Sequence, residues 1–311
     1  MGLIPRIRLA AVSVMLSASC DADTGEVRAA PRWYLVGPEG ARTTGPDVRR
    51  LRPGFGVAIR EELMLGAQRM GRTRQGQLLP MRDLLPARPS AFRGSELVDG
   101  RLDFAWLGPD DAYLWPRPEA RGAAAALRRR HERVQMRERV AATGWIAVEG
   151  GWMESSALRV PTLAPRPNQA APAAPWIDVD LTSQTLVAYL GDRPVFATLV
   201  SGGAGKPGSV FETPRGVHRI QLKLRAATMD NLEHSDVIPY SYDVPFVQYI
   251  GRYALHGVFW HDRFGAAASH GCINVSLQDA EWLFAFTRPA LPIGQDEIRA
   301  TPGSASVLRV R

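Results

Sequence analysis

Cysteine and lysine are the residues this chain has least of. Its 311 positions hold two cysteines, Cys20 and Cys272, and two lysines, Lys206 and Lys223. So few cysteines, one of them in the leader region, exclude the disulfide-stapled class of small secreted domains. With lysine so rare, the net charge of +7 rests on arginine. Genomic base composition accounts for that better than nucleic-acid binding, because no basic stretch is interleaved with aromatics. No apolar run is long enough for an ordinary membrane-spanning helix. The histidines and cysteines lack the compact paired spacing of most zinc sites, so neither a metal nor another cofactor is expected. Hydrophobic residues at 45% and charged residues at 22% are ordinary for a soluble globular protein, which argues against pervasive disorder.

What is present begins with an export signal. Arg6 and Arg8 supply positive charge, and residues 9–18 form a short apolar run ending in small side chains, the pattern of a cleaved leader. Ser17-Ala18-Ser19-Cys20 resembles a bacterial lipoprotein cleavage site with Cys20 as the acylated residue, although Ser17 stands where Leu is usual. Simple secretion is the competing expectation. Either way the protein is expected in the cell envelope or periplasm, and a lipid on Cys20 would tether it to a membrane. An exported protein that keeps one unpaired thiol, Cys272, exposes it to oxidation, so the thiol is expected to have a use.

Residues 256–272 hold that cysteine and three of the six histidines: His256, His261 and His270. A thiol becomes a strong nucleophile as thiolate, and an imidazole within reach can take its proton. Cys272 with a histidine is therefore a candidate acyl-transfer nucleophile. Gly271 lets backbone approach a reacting carbonyl, and the amides around Gly271 and Cys272 are candidate oxyanion donors. The residues alone leave open which histidine serves Cys272.

Ser269-His270-Gly271-Cys272-Ile273-Asn274-Val275, preceded by His256-Gly257, resembles the signature of the YkuD-like L,D-transpeptidases of bacterial cell walls. Trp176-Ile177-Asp178-Val179-Asp180-Leu181, Val200-Ser201-Gly202-Gly203 and Thr213-Pro214-Arg215-Gly216 are similar to that family's opening strands and turns. The resemblance covers residues 176–311. It departs from the family in a slightly short spacing from His256 to Ser269 and in Asn274, where Arg is often found.

The resemblance implies a mainly β protein with a YkuD-like β-sandwich catalytic domain. It assigns the base to His256 and gives His270 a supporting role beside Cys272 and Gly271; His261 is expected to be a wall or loop residue. Softer expectations for substrate contact fall on Tyr240, Met229, Asn274, Ser269 and Trp260. The implied substrates are peptidoglycan stem tetrapeptides. Transfer to an amine would make a cross-link, whereas transfer to water would make the enzyme an L,D-carboxypeptidase. A wall-binding envelope protein with a degenerate catalytic domain is a third possibility, against which the intact Cys and His count.

Along the chain, residues 21–46 are rich in Gly, Pro, Thr and Ala and predict a tether with little structure apart from Trp33-Tyr34-Leu35-Val36. Short runs separated by turn residues predict strands between about 47 and 162. The segment 140–153 predicts a hairpin with a glycine turn, similar to the end of a bacterial SH3-like barrel. One or two small SH3-like β-barrels are therefore expected there, with possible binding to wall polymers. The alanines and arginines of residues 123–130 have high helix propensity and complicate that expectation. Five prolines in residues 161–175 predict an extended, semi-rigid linker. Beyond it, strands are expected over 177–181, 185–190, 194–201 and 253–256, a helix over 277–287 capped by Ser276, and a closing strand over 306–311.

Overall fold

A computed structural model of the chain describes residues 19–20, 27–28, 31–46, 48–118, 124–137, 144–229 and 241–311. The leader, the Cys20 side chain and Tyr240 lie outside the described residues.

Alternating and clustered apolar residues place the first catalytic strands where the sequence puts them. Thr185–Leu190 pairs antiparallel with both Pro175–Asp180 and Arg193–Leu199. Gly191 makes the turn from Thr185–Leu190 into Arg193–Leu199 at φ +60, and a Cβ there would lie 2.2 Å from the Pro172 carbonyl oxygen, so only glycine fits. Val307–Val310 then returns from the far end of the chain to lie parallel to Pro175–Asp180. The buried Asp178 carboxylate fixes this closure: it accepts from Arg309 Nε at 2.6 Å and Arg311 Nε at 2.7 Å. Gly216–Arg219 completes one edge of this six-stranded sheet and Ser95–Glu96 the other.

The second sheet has eight strands. Ser241–Ile250 lies at its centre, paired antiparallel with Leu222–Met229 and with Tyr253–Gly257. Tyr253–Gly257 in turn pairs parallel with Ile273–Val275. Between the two sheets Ile177, Val179, Leu186, Ala188 and Phe196 meet Ile250, Leu255, Ile273 and Val275 in one buried cluster. Burial of aliphatic side chains of this size stabilises by roughly 1.5–3 kcal/mol each.

The helix Leu277–Phe286 adds Ala280 and Leu283 to that core. Ser276 caps it by accepting from Asp279 N–H at 3.2 Å. Asp279 is itself buried; Thr198 Oγ1 donates to it at 2.5 Å and Gly94 N–H at 2.9 Å. Burial pushes its carboxyl up to about 6, against those hydrogen bonds. At the other end, the buried Lys223 ammonium donates to the carbonyls of Phe284, Thr287 and Pro289 at 2.6, 2.9 and 2.8 Å. These are orphan acceptors of a helix C-terminus, where a cation is also favoured by the helix dipole. Burial pulls the Lys223 pKa down to about 8.

The region before residue 162 forms two small β units, each with its own apolar cluster. Tyr34, Val36, Leu51, Val57, Ile59 and Leu79 centre the first. Leu107, Leu114, Val134, Ile146, Val148 and Met153 centre the second. Within the second, Trp145–Val148 and Gly151–Glu154 form the hairpin expected around the glycine turn.

Three local expectations need correction. Beyond the structured stretch expected at residues 33–36, residues 37–46 are also built into the first unit instead of trailing as a tether: Ala41–Arg42 pairs with Arg50–Leu51, and Thr44 bridges to Leu78. The alanine- and arginine-rich stretch gives a strand, Ala126–Arg128, paired with Ala112–Leu114; cross-strand pairing overrides helix propensity in so short a segment. The proline-rich segment lies on the catalytic domain. Ala164 N–H donates to Tyr189 Oη at 2.9 Å, Arg309 donates to the Pro165 carbonyl at 3.0 Å, and Ala170 is buried beside Trp176.

Neither unit is separate from the catalytic sheets. Gly56 bridges to Ser241 and so joins the first unit's sheet to the central strand. Ser95–Glu96, from the connection between the units, pairs with Arg193–Leu199.

Lys223→Met keeps the buried stem but leaves three helix-end carbonyls without their donor. It is expected to lower the unfolding free energy by about 1–3 kcal/mol, measured by denaturant titration against wild type.

Candidate active site

Two short parallel strands bring the chemistry together. The register of Tyr253–Gly257 on Ile273–Val275 sets His256 opposite Asn274 and Leu255 opposite Ile273. Cys272 is therefore level with Ala254, one step before the second strand begins. On its other side the same strand is held by Ser201, whose N–H donates to the Asn274 carbonyl at 2.8 Å and whose carbonyl accepts from Asn274 N–H at 3.0 Å.

The turn into Cys272 has no room for anything but glycine at 271. Its φ is +107, and a Cβ there would lie 2.4 Å from the Tyr253 ring. Ser269 Oγ braces the same turn, donating to the Cys272 carbonyl and accepting from Gly271 N–H at 3.2 Å. The Gly271 amide, expected as an oxyanion donor, is thus engaged inside the loop. Gly203 backs the turn closely, with only 3.0 Å between its ideal Cβ position and Gly271 Cα.

His256 is buried, and its ring is oriented by a bond that also fixes its tautomer. Nδ1 lies 3.0 Å from the Gly257 carbonyl oxygen. A carbonyl only accepts, so Nδ1 carries the proton and Nε2 is left with a free lone pair. That is the form a general base requires. Burial holds the ring neutral, with a pKa pulled down to about 4. Burial likewise pushes the Cys272 thiol up to about 11, with a hydrogen bond from the Ala254 backbone opposing. Among the described residues no hydrogen bond joins Cys272 to a histidine, so the resting pair is neutral thiol and neutral imidazole.

Trp260, Met229 and Tyr249 pack with Cys272 against the cluster of Ala227, Val244, Val247 and Ala254. The Trp260 ring is also 6.0 Å from that of His256. Trp260 and Met229 thus share with Cys272 the cluster they pack on, and Asn274 follows Cys272 by two residues on the strand opposite His256. His270 is exposed and packs edge-on to Phe211 at 5.2 Å.

His261, expected to be a wall or loop residue, enters the site directly. Its Nε2 is 2.9 Å from Nδ2 of the Asn274 side-chain amide, and its Nδ1 accepts from Arg263 N–H at 3.2 Å. Neutral imidazole has one N–H, so with Nδ1 accepting, Nε2 must donate, and an amide N–H cannot accept. We therefore assign the amide turned over, with the Asn274 oxygen toward His261. This assignment also gives a partner to an oxygen that otherwise has none in its buried position. Burial, and after it the neighbouring His256, pulls the His261 pKa down to about 4. Among the described residues no group of three His, Cys, Asp or Glu side chains is placed to hold a metal ion.

Comparison with known proteins matches part of the chain to a known family. Residues 174–296 match the YkuD family model, the L,D-transpeptidase catalytic domain. The match spans the opening strands, His256, Cys272 and the helix, and it leaves both N-terminal units outside. No curated protein matches the chain. Similar solved structures include an L,D-transpeptidase from Xylanimonas cellulosilytica, 22% identical over 48% of this chain and 64% of that one, at a TM-score of 0.33. An L,D-transpeptidase from Enterococcus faecium is 22% identical over 44% of this chain and 50% of its own, at a TM-score of 0.34. One from Mycobacterium tuberculosis is 21% identical over 44% and 57%, at 0.33. The chain thus spans less than two thirds of the length of each.

The neutral resting pair has a measurable consequence. At pH 8 a thiol near 11 is about one part in a thousand thiolate. Alkylation of Cys272 by iodoacetamide should therefore rise roughly tenfold per pH unit from 7 to 10. A rate that is flat over that range would mean a preformed thiolate–imidazolium pair.

Proposed function

We propose that the protein is a cysteine L,D-transpeptidase acting on peptidoglycan stem tetrapeptides. The observation that carries this reading is the His256 tautomer: Nδ1–H is tied to Gly257, and Nε2 is free on the strand beside Cys272. The family match over residues 174–296 supports the same class.

In this reading Cys272 Sγ attacks the carbonyl carbon of the third stem residue, and the thiol proton passes to His256 Nε2. The transfer accompanies attack, because burial disfavours either charged partner alone. The Cys272 amide is the candidate donor to the oxyanion. Collapse breaks the peptide bond, and the departing D-alanine amine takes the proton from His256. An amine from a neighbouring stem then resolves the thioester and regenerates the thiol. Asn274, held between Ser201 and His261, and the wall of Trp260 and Met229 are the proposed contacts for the bound peptide. The N-terminal units as SH3-like wall-binding modules, the envelope location and a lipid on Cys20 complete the proposal from sequence.

The test is incubation of the full chain with tetrapeptide-bearing muropeptides, read by mass spectrometry. Cross-linked dimers with loss of D-alanine are expected, and tripeptides alone would indicate the carboxypeptidase outcome. A carbapenem should add once to Cys272, with the adduct absent in Cys272→Ala. His256→Ala should slow that acylation by about 100-fold or more. An adduct that persists without Cys272 would remove the thiol from the mechanism.

A further inference from the structure

The loop that carries His261 is held from outside the catalytic domain. Residues 258–272 connect two parallel neighbours, and the middle of this connection rests against the second N-terminal unit. There His131 turns out of a braced corner. Its φ is +61, a left-handed conformation that is unfavourable for histidine unless its surroundings fix it. Asp111 does so by accepting from Arg130 N–H and from the Arg129 guanidinium, both at 2.8 Å.

This corner sends the His131 ring onto the catalytic domain, where it packs against Phe92 at 5.2 Å and Phe264 at 6.0 Å, two rings that also touch each other. Its side chain is 8% exposed. Nε2 lies 3.1 Å from the Phe264 carbonyl oxygen, so Nε2 is the protonated nitrogen. Nδ1 faces Asp262 Oδ1 at 3.5 Å. That oxygen is buried and has no hydrogen bond, while Oδ2 of the same carboxylate pairs with Arg130 at 3.0 Å. One residue further along the loop, Arg159 Nε donates to the Gly265 carbonyl at 2.5 Å. Gly265 leaves space for this approach: a Cβ there would lie 3.2 Å from Arg159 Cγ and from Gly108 Cα. Three residues of the second unit therefore grip Asp262, Phe264 and Gly265. Immediately before that grip, His261 donates to Asn274, two residues after the nucleophile.

We infer that His131 is a positioning residue of the active site, supplied by the second N-terminal unit, which fixes the 262–265 loop so that His261 stays bonded to Asn274. The inference rests on the reading of Cys272 as the acylated thiol only for its activity readout. The grip has a built-in acid dependence. Neutral His131 presents a lone pair to a carboxylate oxygen; protonated, Nδ1–H donates to it. Burial against Phe92 and Phe264 holds the His131 pKa below the ordinary histidine value; the facing Asp262 and the Phe264 carbonyl favour the charged ring, and Arg130 opposes it. The contact should tighten as pH falls through that lowered value, and Asp262→Asn should lower it further.

The experiment uses the full chain and three variants. His131→Phe keeps an aromatic ring against the two phenylalanines but cannot donate to the Phe264 carbonyl. His131→Gln retains an N–H that reaches the carbonyl, and Asp262→Asn removes the facing charge. Two signals are read in each: the second-order rate of Cys272 acylation by a carbapenem, and the NMR resonance of His261 Nε2–H, with thermal unfolding as the control for folding. Loss of positioning in His131→Phe should slow acylation by about ten- to a hundred-fold and speed solvent exchange of the His261 Nε2–H proton. His131→Gln should recover most of both. Asp262→Asn should shift the His131 titration to lower pH. A folded His131→Phe that acylates at the wild-type rate with an unchanged His261 resonance would reduce His131 to a packing residue. If His131→Phe does not fold, the pH profiles of the same two signals in Asp262→Asn decide: profiles displaced to lower pH support the inference, and profiles that superimpose on those of wild type would overturn it. If wild type itself takes no adduct, the transpeptidase reading fails, and the His261 resonance still decides whether His131 positions the loop.

Discussion

The parallel pairing of Tyr253–Gly257 with Ile273–Val275 is the constraint on which the site depends. Two short strands set His256 opposite Asn274 and bring Cys272 to the end of the same pair, so one register carries all three side chains. A slip of one residue would turn His256 and Asn274 to the opposite face. The register is held on both sides: by Ser201 against Asn274, and by the apolar residues Leu255, Ile273 and Val275 that alternate into the core. The capped helix follows at once, with Asp279 and Lys223 satisfied at its two ends. Buried charges that are fully hydrogen-bonded cannot easily move, which makes a firm base for the strand that bears the thiol.

Parallel neighbours need a crossover of a dozen or more residues, and the usual solution is a helix that stabilises itself. Here residues 258–272 make the crossover without a helix or strand of their own. Such a segment must find its hydrogen bonds elsewhere. On the catalytic side it finds Val200, Ser201 and Gly202. On the other it finds the two N-terminal units: Trp33 stacks on Phe259 at 4.4 Å, and His131 and Arg159 meet Phe264 and Gly265. The units are therefore placed where the catalytic fold is least able to support itself.

Much of this was legible in the sequence because it is local. Periodicity and turn residues predict the strands over 177–181 and 185–190, and Ser276 with Asp279 announces the helix. The sequence marks Gly271 as a point of close backbone approach, whereas the brace that Ser269 gives the turn appears only in the structure. What could not be read locally is long-range. Nothing near Trp33 says that it stacks on a residue more than 200 positions away, so residues 21–46 read as a tether. Ala126–Arg128 reads as helix because its partner strand, Ala112–Leu114, lies outside the propensity window. His261 looked like an ordinary loop residue for the same reason: its importance lies in meeting Asn274 across the crossover. The left-handed corner at His131 has no glycine or asparagine to mark it.

A division of labour follows from where these contacts lie. Cys272, His256 and Asn274 are held by strand pairing within residues 174–296, the segment that matches the family model. The third imidazole, His261, belongs to that segment too, but part of its support does not. Backbone pairing is indifferent to most side-chain changes, so the first group tolerates extensive substitution around it. The support of the second runs through individual side chains, Asp262 to Arg130 and the Phe264 carbonyl to His131, and each can be lost in a single substitution. Reading the site from the catalytic segment alone recovers the chemistry of thiol and base, but it leaves the loop beside them with one of its two walls missing.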